Sequence, residues 1–279
     1  MPSCTLILPM KFKKAPLIEL VAEFRWIPVG GLGAPAPNSG KLARLQPADQ
    51  NRNETFFSRF SSSISERGYS RTERLIPQGW PFPNHLPVCR IRHSGTDQKE
   101  TTLYQVGAGL FSAHALPPYK NWDEFRPVVS SGLEVLLKAR DRDESDAKFT
   151  TITLRYIDRF ESNLTDNLLP RAFIDKVFDI GLRLPNAITS DAVSEESINP
   201  TILLRVPLKS GLLMTLGINP IAEQGGHNGI ILDTSVVTQS SVPGDLKTAI
   251  EVLDTAHASI RKLFIGLTAP IQKQMEPED

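Results

Sequence analysis

Side chains capable of chemistry concentrate in residues 151–160, which read TITLRYIDRF. The alternation of side chains along a β-strand would place Arg155 and Arg159 on one face and Tyr156 and Asp158 on the other. Two guanidinium groups on one face form a paired cationic site that suits a carboxylate or a phosphate. Arg155, Tyr156, Asp158 and Arg159 are therefore candidate binding residues.

A structural interpretation of the same arginines competes with the binding role, and the sequence favours it. Residues 17–26 alternate apolar side chains with Glu19, Glu23 and a basic residue, which is typical of a half-buried strand. If this strand lies beside residues 151–160, Arg155 and Arg159 would face Glu19 and Glu23 in a cross-strand charge ladder.

A second group of candidate binding residues is basic and includes an aromatic ring. Cations hold phosphates while aromatic rings stack on bases, so this stretch is compatible with nucleic acid or with an acidic protein. Glu66 and Glu73 dilute its charge, and a solvated polar surface is the favoured interpretation. The residues of the group are Arg67, Tyr69, Arg71 and Arg74.

The familiar catalytic motifs do not occur in this sequence. Residues 30–36 (GGLGAPA) resemble a dinucleotide fingerprint only loosely, and Pro35 with Pro37 would remove backbone donors from a phosphate cradle. The five histidines lack metal-ligand spacing, and His257 is expected at the edge of the core. No nucleophile elbow is present either. We therefore predict no catalytic, cofactor-binding or metal-binding residue and no cofactor, and we favour a protein that is not an enzyme.

The composition is that of a globular domain without a general attraction to charged partners. The chain has 279 residues, 40% of them hydrophobic, and its 31 basic and 31 acidic side chains cancel. The basic excess lies in residues 1–140, where an acidic partner would bind. Cys4 and Cys89 have no metal or redox spacing, which favours a reducing cytoplasm. We expect no export signal, no membrane helix, and either Met1 or Met10 as the start.

Hydrophobic periodicity divides the chain into two halves of similar element order. After the strand at 17–26 and a Pro- and Gly-rich loop at 28–47, a helix is predicted over 49–66. Strands at 88–93, 101–106 and 110–116 precede a helix capped by Asn121, in which Pro127 predicts a kink or a separate first turn. The elements predicted for the second half are strands at 150–160, 201–206, 212–218 and 229–237 and helices at 170–180 and 243–267.

The predicted fold class is α+β, with two similar halves that each pack an antiparallel sheet on a long helix. This is a pseudo-duplication of the helix-grip or TATA-binding-protein-like kind. The predicted boundaries are an N-terminal half at 10–140, an acidic linker at 141–148, a C-terminal half at 149–270 and a polar tail at 271–279.

Four motifs in order resemble an uncharacterised, sporadically distributed prokaryotic protein family. They are residues 13–26 (KKAPLIELVAEFRW), 119–125 (YKNWDEF), 154–160 (LRYIDRF) and 257–269 (HASIRKLFIGLTA). The family opens with a Lys-Pro-Leu-Val-Glu-like strand and carries a mid-chain Arg-Tyr-Ile signature. The resemblance implies no established activity and no site residue. Patchy occurrence implies horizontal transfer, which is typical of defence and toxin-antitoxin modules.

Three functions remain open from the sequence. The leading hypothesis is a cytoplasmic, non-enzymatic protein that binds a protein partner, within a defence or toxin-antitoxin-like module. The alternative is a ligand-binding protein or enzyme whose site converges near Arg155 to Arg159. The third is nucleic-acid binding through the basic N-terminal half. The oligomeric state is not predicted.

Overall fold

The computed structural model describes residues 11–28, 47–77, 80, 82–95, 101–117, 121–141, 147–194, 197–222 and 228–278. Its strands form one nine-stranded antiparallel sheet in the order β2-β3-β4-β5-β1-β6-β9-β8-β7. The strands are β1 (Leu17–Trp26), β2 (Arg71–Arg74), β3 (Cys89–Arg92), β4 (Thr102–Gly107), β5 (Leu110–Ala115), β6 (Phe149–Phe160), β7 (Ile202–Pro207), β8 (Leu212–Ala222) and β9 (Asn228–Thr238).

Three long helices and three short ones accompany this sheet in the described chain. They are α1 (Pro47–Ser65), α2 (Trp122–Ala139), α3 (Ser162–Thr165), α4 (Pro170–Lys176), α5 (Asn186–Thr189) and α6 (Leu246–Leu267). The α+β class is therefore confirmed. None of the helices in the described ranges is long and apolar enough to cross a membrane.

The two central strands, β1 and β6, follow the predicted alternation closely. In β1 the residues Leu20, Ala22, Phe24 and Trp26 are buried, while the residues between them are partly exposed. Apolar side chains at every second position pack onto the helices, because successive strand residues point to opposite faces. The opposite face of the sheet carries the polar residues, so the helices cover one face.

The strands pair in a comparable order on each side of this centre. β1 pairs with β5, the last strand of the first half, and β6 pairs with β9, the last strand of the second. β1 and β6 then pair with each other, which joins both halves into a single sheet. Phe24 illustrates the shared core, because its ring lies 5.8 Å from that of Phe111 and 5.3 Å from that of Phe149.

Helices α2 and α6 each begin at a side-chain cap, of which only the first was predicted. The Glu124 amide donates to Asn121 Oδ1 over 3.2 Å at the start of α2, as predicted. Pro127 lies inside α2, which continues through it as one helix. The Thr248 amide donates to Asp245 Oδ1 over 2.8 Å, so α6 begins two residues after Gly244 and not at Pro243.

The C-terminal segment contributes to the core, although its composition predicted a polar tail. Met275 is fully buried and Ile271 nearly so. The backbone amide of Lys13 donates to the carbonyl of Glu276 over 2.9 Å, which ties the segment before β1 to the end of the chain. The composition of the segment is mostly polar and so predicted exposure. Two buried apolar side chains are nevertheless enough to anchor it to the core.

Several predictions fall on parts of the chain outside the described residues. These are Cys4, the Met10 start, His227, most of the 28–47 loop with its glycine motifs, and residues 142–146 of the acidic linker. The strand β2 was not predicted separately, since its sequence RTER lacks an apolar alternation. Helix α1 begins at Pro47, two residues before the predicted Asp49.

Candidate functional site

Strand β6 divides the four candidate residues between two faces of the sheet, as the alternation predicted. Tyr156 and Asp158 lie on the face that the helices cover, whereas Arg155 lies on the open face. The four residues therefore do not converge on one site. The two faces of the sheet are therefore two separate candidate sites.

On the open face, Arg155 has a partner other than those predicted. Its guanidinium donates to both carboxylate oxygens of Asp233, over 2.7 and 2.5 Å. Glu19 and Glu23 lie on the same face and raise the pKa of Arg155 after the larger contribution of the Asp233 hydrogen bond. On β1 the residue opposite Arg155 is Val21, which carries no charge. The ion-pair partner Asp233 therefore comes from β9, the strand on the other side of β6.

The other members of the predicted ladder also have partners of their own. Glu19 Oε1 lies 2.9 Å from His114 Nδ1, and that hydrogen bond is the main reason why the pKa of Glu19 is lowered. Arg25 donates to Glu23 Oε1 over 2.7 Å. Arg159 lies 3.3 Å from Glu161 Oε1 and is also engaged elsewhere. The open-face charges are thus engaged internally.

The basic stretch is likewise engaged by neighbouring elements. Arg67 donates to Ser131 Oγ over 2.7 Å and to Glu134 Oε2 over 3.0 Å, both on α2. Arg74 donates to both carboxylate oxygens of Glu54, and the Tyr69 hydroxyl lies 2.7 Å from Thr102 Oγ1. Arg71, on β2, also has a contact of its own. Arg67 and Arg74 therefore both have carboxylate partners within the described ranges.

A cavity of about 360 Å³ lies on the helix-covered face, and we call it the α6 cavity. Its size falls within the range of small-molecule sites. It is enclosed by the segment before β1, the first residue of β1, the start of α2, the middle of β6, one residue of β9, and α6. Its lining residues include Lys11, Phe12, Trp122, Asp123, Tyr156, Asp158, Thr234, His257, Ala258, Arg261 and Phe264.

Asp158 is the most unusual residue of the α6 cavity. It is 4% exposed, and within the described chain no side chain or backbone amide donates a hydrogen bond to its carboxyl group. Loss of hydration disfavours the ionised form, so burial raises the pKa of Asp158 to about 7. A buried carboxyl without a partner is costly to the fold, which is typical of residues kept for a ligand or a reaction.

Tyr156 and His257 form a hydrogen-bonded pair beside Asp158. The Tyr156 hydroxyl lies 2.8 Å from His257 Nδ1. Burial, and secondarily the charge of Arg261, lowers the pKa of His257 to about 4, so the imidazole is neutral at pH 7. Burial also raises the pKa of Tyr156, with Asp158 adding to the effect. With the proton of the neutral imidazole on Nε2, Nδ1 accepts a hydrogen bond from the Tyr156 hydroxyl, and this bond orients the hydroxyl.

Trp122 connects the pair to α2. Its ring stacks on the His257 ring at 5.3 Å and 15°, and its Nε1 donates to Asp254 Oδ1 over 3.0 Å. Arg126 donates to both oxygens of the same carboxylate, and α6 is thereby joined to α2. Despite desolvation, hydrogen bonds from Arg126 and Trp122 keep the pKa of Asp254 below its ordinary value.

The outer wall of the α6 cavity is formed by the segment before β1. Lys11 Nζ lies 3.4 Å from Asp123 Oδ2, and Phe12 packs edge-on against Phe264 at 6.2 Å. The outer wall therefore contains an ion pair next to an aromatic pair. No group of three or more His, Cys, Asp or Glu side chains in the described ranges is arranged to hold a metal ion.

The sequence pattern predicts two of the polar side chains in the cavity, Tyr156 and Asp158. It places His257 at the edge of the core and gives Trp122 no role. His257 and Trp122 do lie within two motifs of the family resemblance, 257–269 and 119–125. That coincidence is the signal that could have linked them to Tyr156.

Comparison with known proteins adds no assignment. No protein-family model matches the chain, and no curated protein matches it. Among solved structures, the di-domain ARO/CYC BexL from the BE-7585A biosynthetic pathway has 10% sequence identity, over 81% of this chain and 95% of that chain, with a TM-score of 0.19. A score this low carries no argument, so the site is interpreted from its own geometry.

Proposed function

We propose that this protein binds a small organic ligand in the α6 cavity. One observation carries the proposal: the Asp158 carboxyl is buried in the cavity wall and has no hydrogen-bond partner within the described chain. A mainly apolar cavity with a few convergent polar groups is the usual form of a ligand site. The ligand would supply the hydrogen bond that the described residues do not.

The same residues also suit acid-base chemistry on a bound ligand. Asp158 has a pKa of about 7, which lets its carboxyl gain or lose a proton near neutral pH. The Tyr156 hydroxyl, whose hydrogen is directed to His257, is a second polar group within the same cavity and can accept a hydrogen bond from the ligand. Ligand binding is the primary proposal, and turnover is an extension of it that rests on these two groups.

A variant that closes the cavity tests ligand binding. Ala258 is exposed on α6 at the cavity rim, so Ala258→Phe fills the entrance without disturbing the core. Thr255→Phe on the same helix is the matched control, because Thr255 is exposed and does not line the cavity. A fragment screen followed by thermal shift should give ligands that stabilise the wild type and Thr255→Phe but not Ala258→Phe. Equal responses of all three proteins would place the binding elsewhere.

A second candidate function is binding of a protein partner along β7, the edge strand of the second half. Leu203, Leu204 and Val206 are 63%, 41% and 45% exposed, although an edge strand is usually protected by charge. An extended segment of a partner could pair with this edge and cover these side chains. Leu204→Lys with Val206→Lys should then abolish co-purification with the partner. Retention of the same partner would exclude β7.

The wider setting of the protein also remains a proposal. The similar pairing order on the two sides of β1 and β6 supports a helix-grip pseudo-duplication. The free thiol of Cys89 supports a cytoplasmic location. A role in a defence or toxin-antitoxin-like module is supported only by the family resemblance. Nucleic-acid binding through the N-terminal half would require a steep loss of affinity with added salt.

A further inference from the structure

We propose that the ligand of the α6 cavity is an organic cation, an amine on an apolar or aromatic body whose ammonium group binds the Asp158 carboxylate. The inference rests on the proposed function, because it specifies what that same cavity accepts. It follows from the charges and the ring systems that surround Asp158.

The carboxylate of Asp158 lacks a cation of its own within the described chain. Lys11 lies in the same cavity, but its ammonium group is 3.4 Å from the Asp123 carboxylate. Arg261 also lines the cavity, and its charge contributes to the lowered pKa of His257. The pKa of Asp158 is raised by burial, with no opposing contribution from Arg261. An ionised carboxyl in such a place is stabilised most by a cation that enters with the ligand.

Aromatic rings form much of the remaining wall. Phe12, Trp122, Tyr156 and Phe264 all line the cavity. The face of an aromatic ring attracts an ammonium group within about 6 Å, and rings grouped around a cation are a recurring device for recognising amines. The same rings would pack against the apolar body of the ligand.

Other ligand classes fit these groups less well. An anionic ligand would place a second negative charge beside Asp158, which favours protonation of one of the two groups at a cost in affinity. A neutral alcohol could donate a hydrogen bond to the carboxylate but would leave its charge uncompensated. The affinity of the cavity should therefore be highest for amines, lower for alcohols and lowest for carboxylates.

The proposal predicts how affinity varies with pH. The titratable and charged groups that face Asp158 are Tyr156 on its own strand, His257 and Arg261 on α6, Asp123 on α2, and Lys11. Of these, His257 has a pKa of about 4 and stays neutral above pH 6. An ammonium group needs the ionised form of Asp158, so amine affinity should rise about tenfold between pH 6 and pH 8.

The experiment uses matched sets of phenylalkyl and cyclohexylalkyl amines, alcohols and carboxylates, titrated into the full chain by calorimetry. We expect the amines to bind at least tenfold more tightly than the corresponding alcohols. Asp158→Asn should remove this preference and the pH dependence together. Glu251→Gln, the matched control at an exposed carboxylate of α6 that does not line the cavity, should change amine affinity less than threefold.

Three outcomes separate this proposal from the one on which it rests. Amine preference that depends on Asp158 and is blocked by Ala258→Phe supports both. The second outcome is binding that Ala258→Phe blocks, but in which alcohols or carboxylates bind more tightly than amines, or in which Asp158→Asn leaves amine affinity unchanged. This result overturns the amine proposal and leaves the cavity as the ligand site. Binding of all three classes that is equally strong in Ala258→Phe, or absent throughout, overturns both. Thermal unfolding of each variant establishes that it is folded.

Discussion

The Tyr156 hydroxyl lies 2.8 Å from Nδ1 of His257, although the two residues are 101 positions apart in the chain. This contact joins the central strand β6 to the last helix, α6, across the inner wall of the α6 cavity. Asp158 is two residues further along the same strand and so shares its face with Tyr156. The contact therefore determines which groups can meet a ligand beside Asp158.

The energy of this contact can be measured with a double-mutant cycle. Tyr156→Phe leaves the imidazole nitrogen without its partner, and His257→Leu leaves the phenol without its own, so each should destabilise the protein by about 1–2 kcal/mol. The double variant should cost about 1 kcal/mol less than the sum, because no polar group is left alone. Urea unfolding gives the three values, and strict additivity would show that the hydrogen bond contributes nothing.

Asp158 should make the protein less stable as the pH rises from 4 to 8. Its pKa increases from 3.8 to about 7 on folding, so between these values the folded state binds more protons than the unfolded state. Its unfavourable contribution grows through this window to at most about 4 kcal/mol and then levels off above pH 7. Asp158→Asn, which mimics the protonated form, should match the wild type near pH 4 and exceed it at pH 8. Parallel stability profiles for the two proteins would contradict this account.

Two glycines within helices should respond to alanine with opposite signs. A Cβ on Gly132 of α2 would lie 2.8 Å from Phe111 Cζ and even closer to the Tyr104 ring, so Gly132→Ala should destabilise by about 1–3 kcal/mol. Gly266 of α6 has open space around it, and Gly266→Ala should stabilise by about 0.5 kcal/mol. Chemical denaturation measures both. If Gly132→Ala were also stabilising, the close packing of α2 on the sheet would be wrong.

The cap of α6 should matter for stability. The backbone hydrogen bond from Thr248 holds the pKa of Asp245 below its ordinary value. Asp245→Ala should therefore lower the free energy of unfolding by about 1 kcal/mol. This loss should become smaller as the pH falls through the lowered pKa of Asp245, because a protonated carboxyl caps the helix less well in the wild type. Asp245→Asn is the control and should stay close to the wild type at pH 7. Thermal unfolding at pH 7 and pH 3 tests both statements.

The alternation of side chains was sufficient to predict where β1 and β6 lie and which of their residues are buried. It also placed Tyr156 and Asp158 on one face, since the geometry of a strand is local and repeats every two residues. The cap at Asn121 was equally local, because its carboxamide bonds an amide three residues away. Patterns of this kind need no knowledge of the remaining chain.

The partners of those residues depended on the tertiary structure. Arg155 binds Asp233, and Tyr156 binds His257, because β9 and α6 pack against β6 from distant parts of the chain. No local period encodes which of several carboxylates or histidines arrives beside a given side chain. The sequence by itself thus determined the strand, its two faces and the candidates Tyr156 and Asp158. Only the packing of α6 and α2 over β6 decided that Asp158 is buried in a cavity, since burial is a property of everything that surrounds the residue.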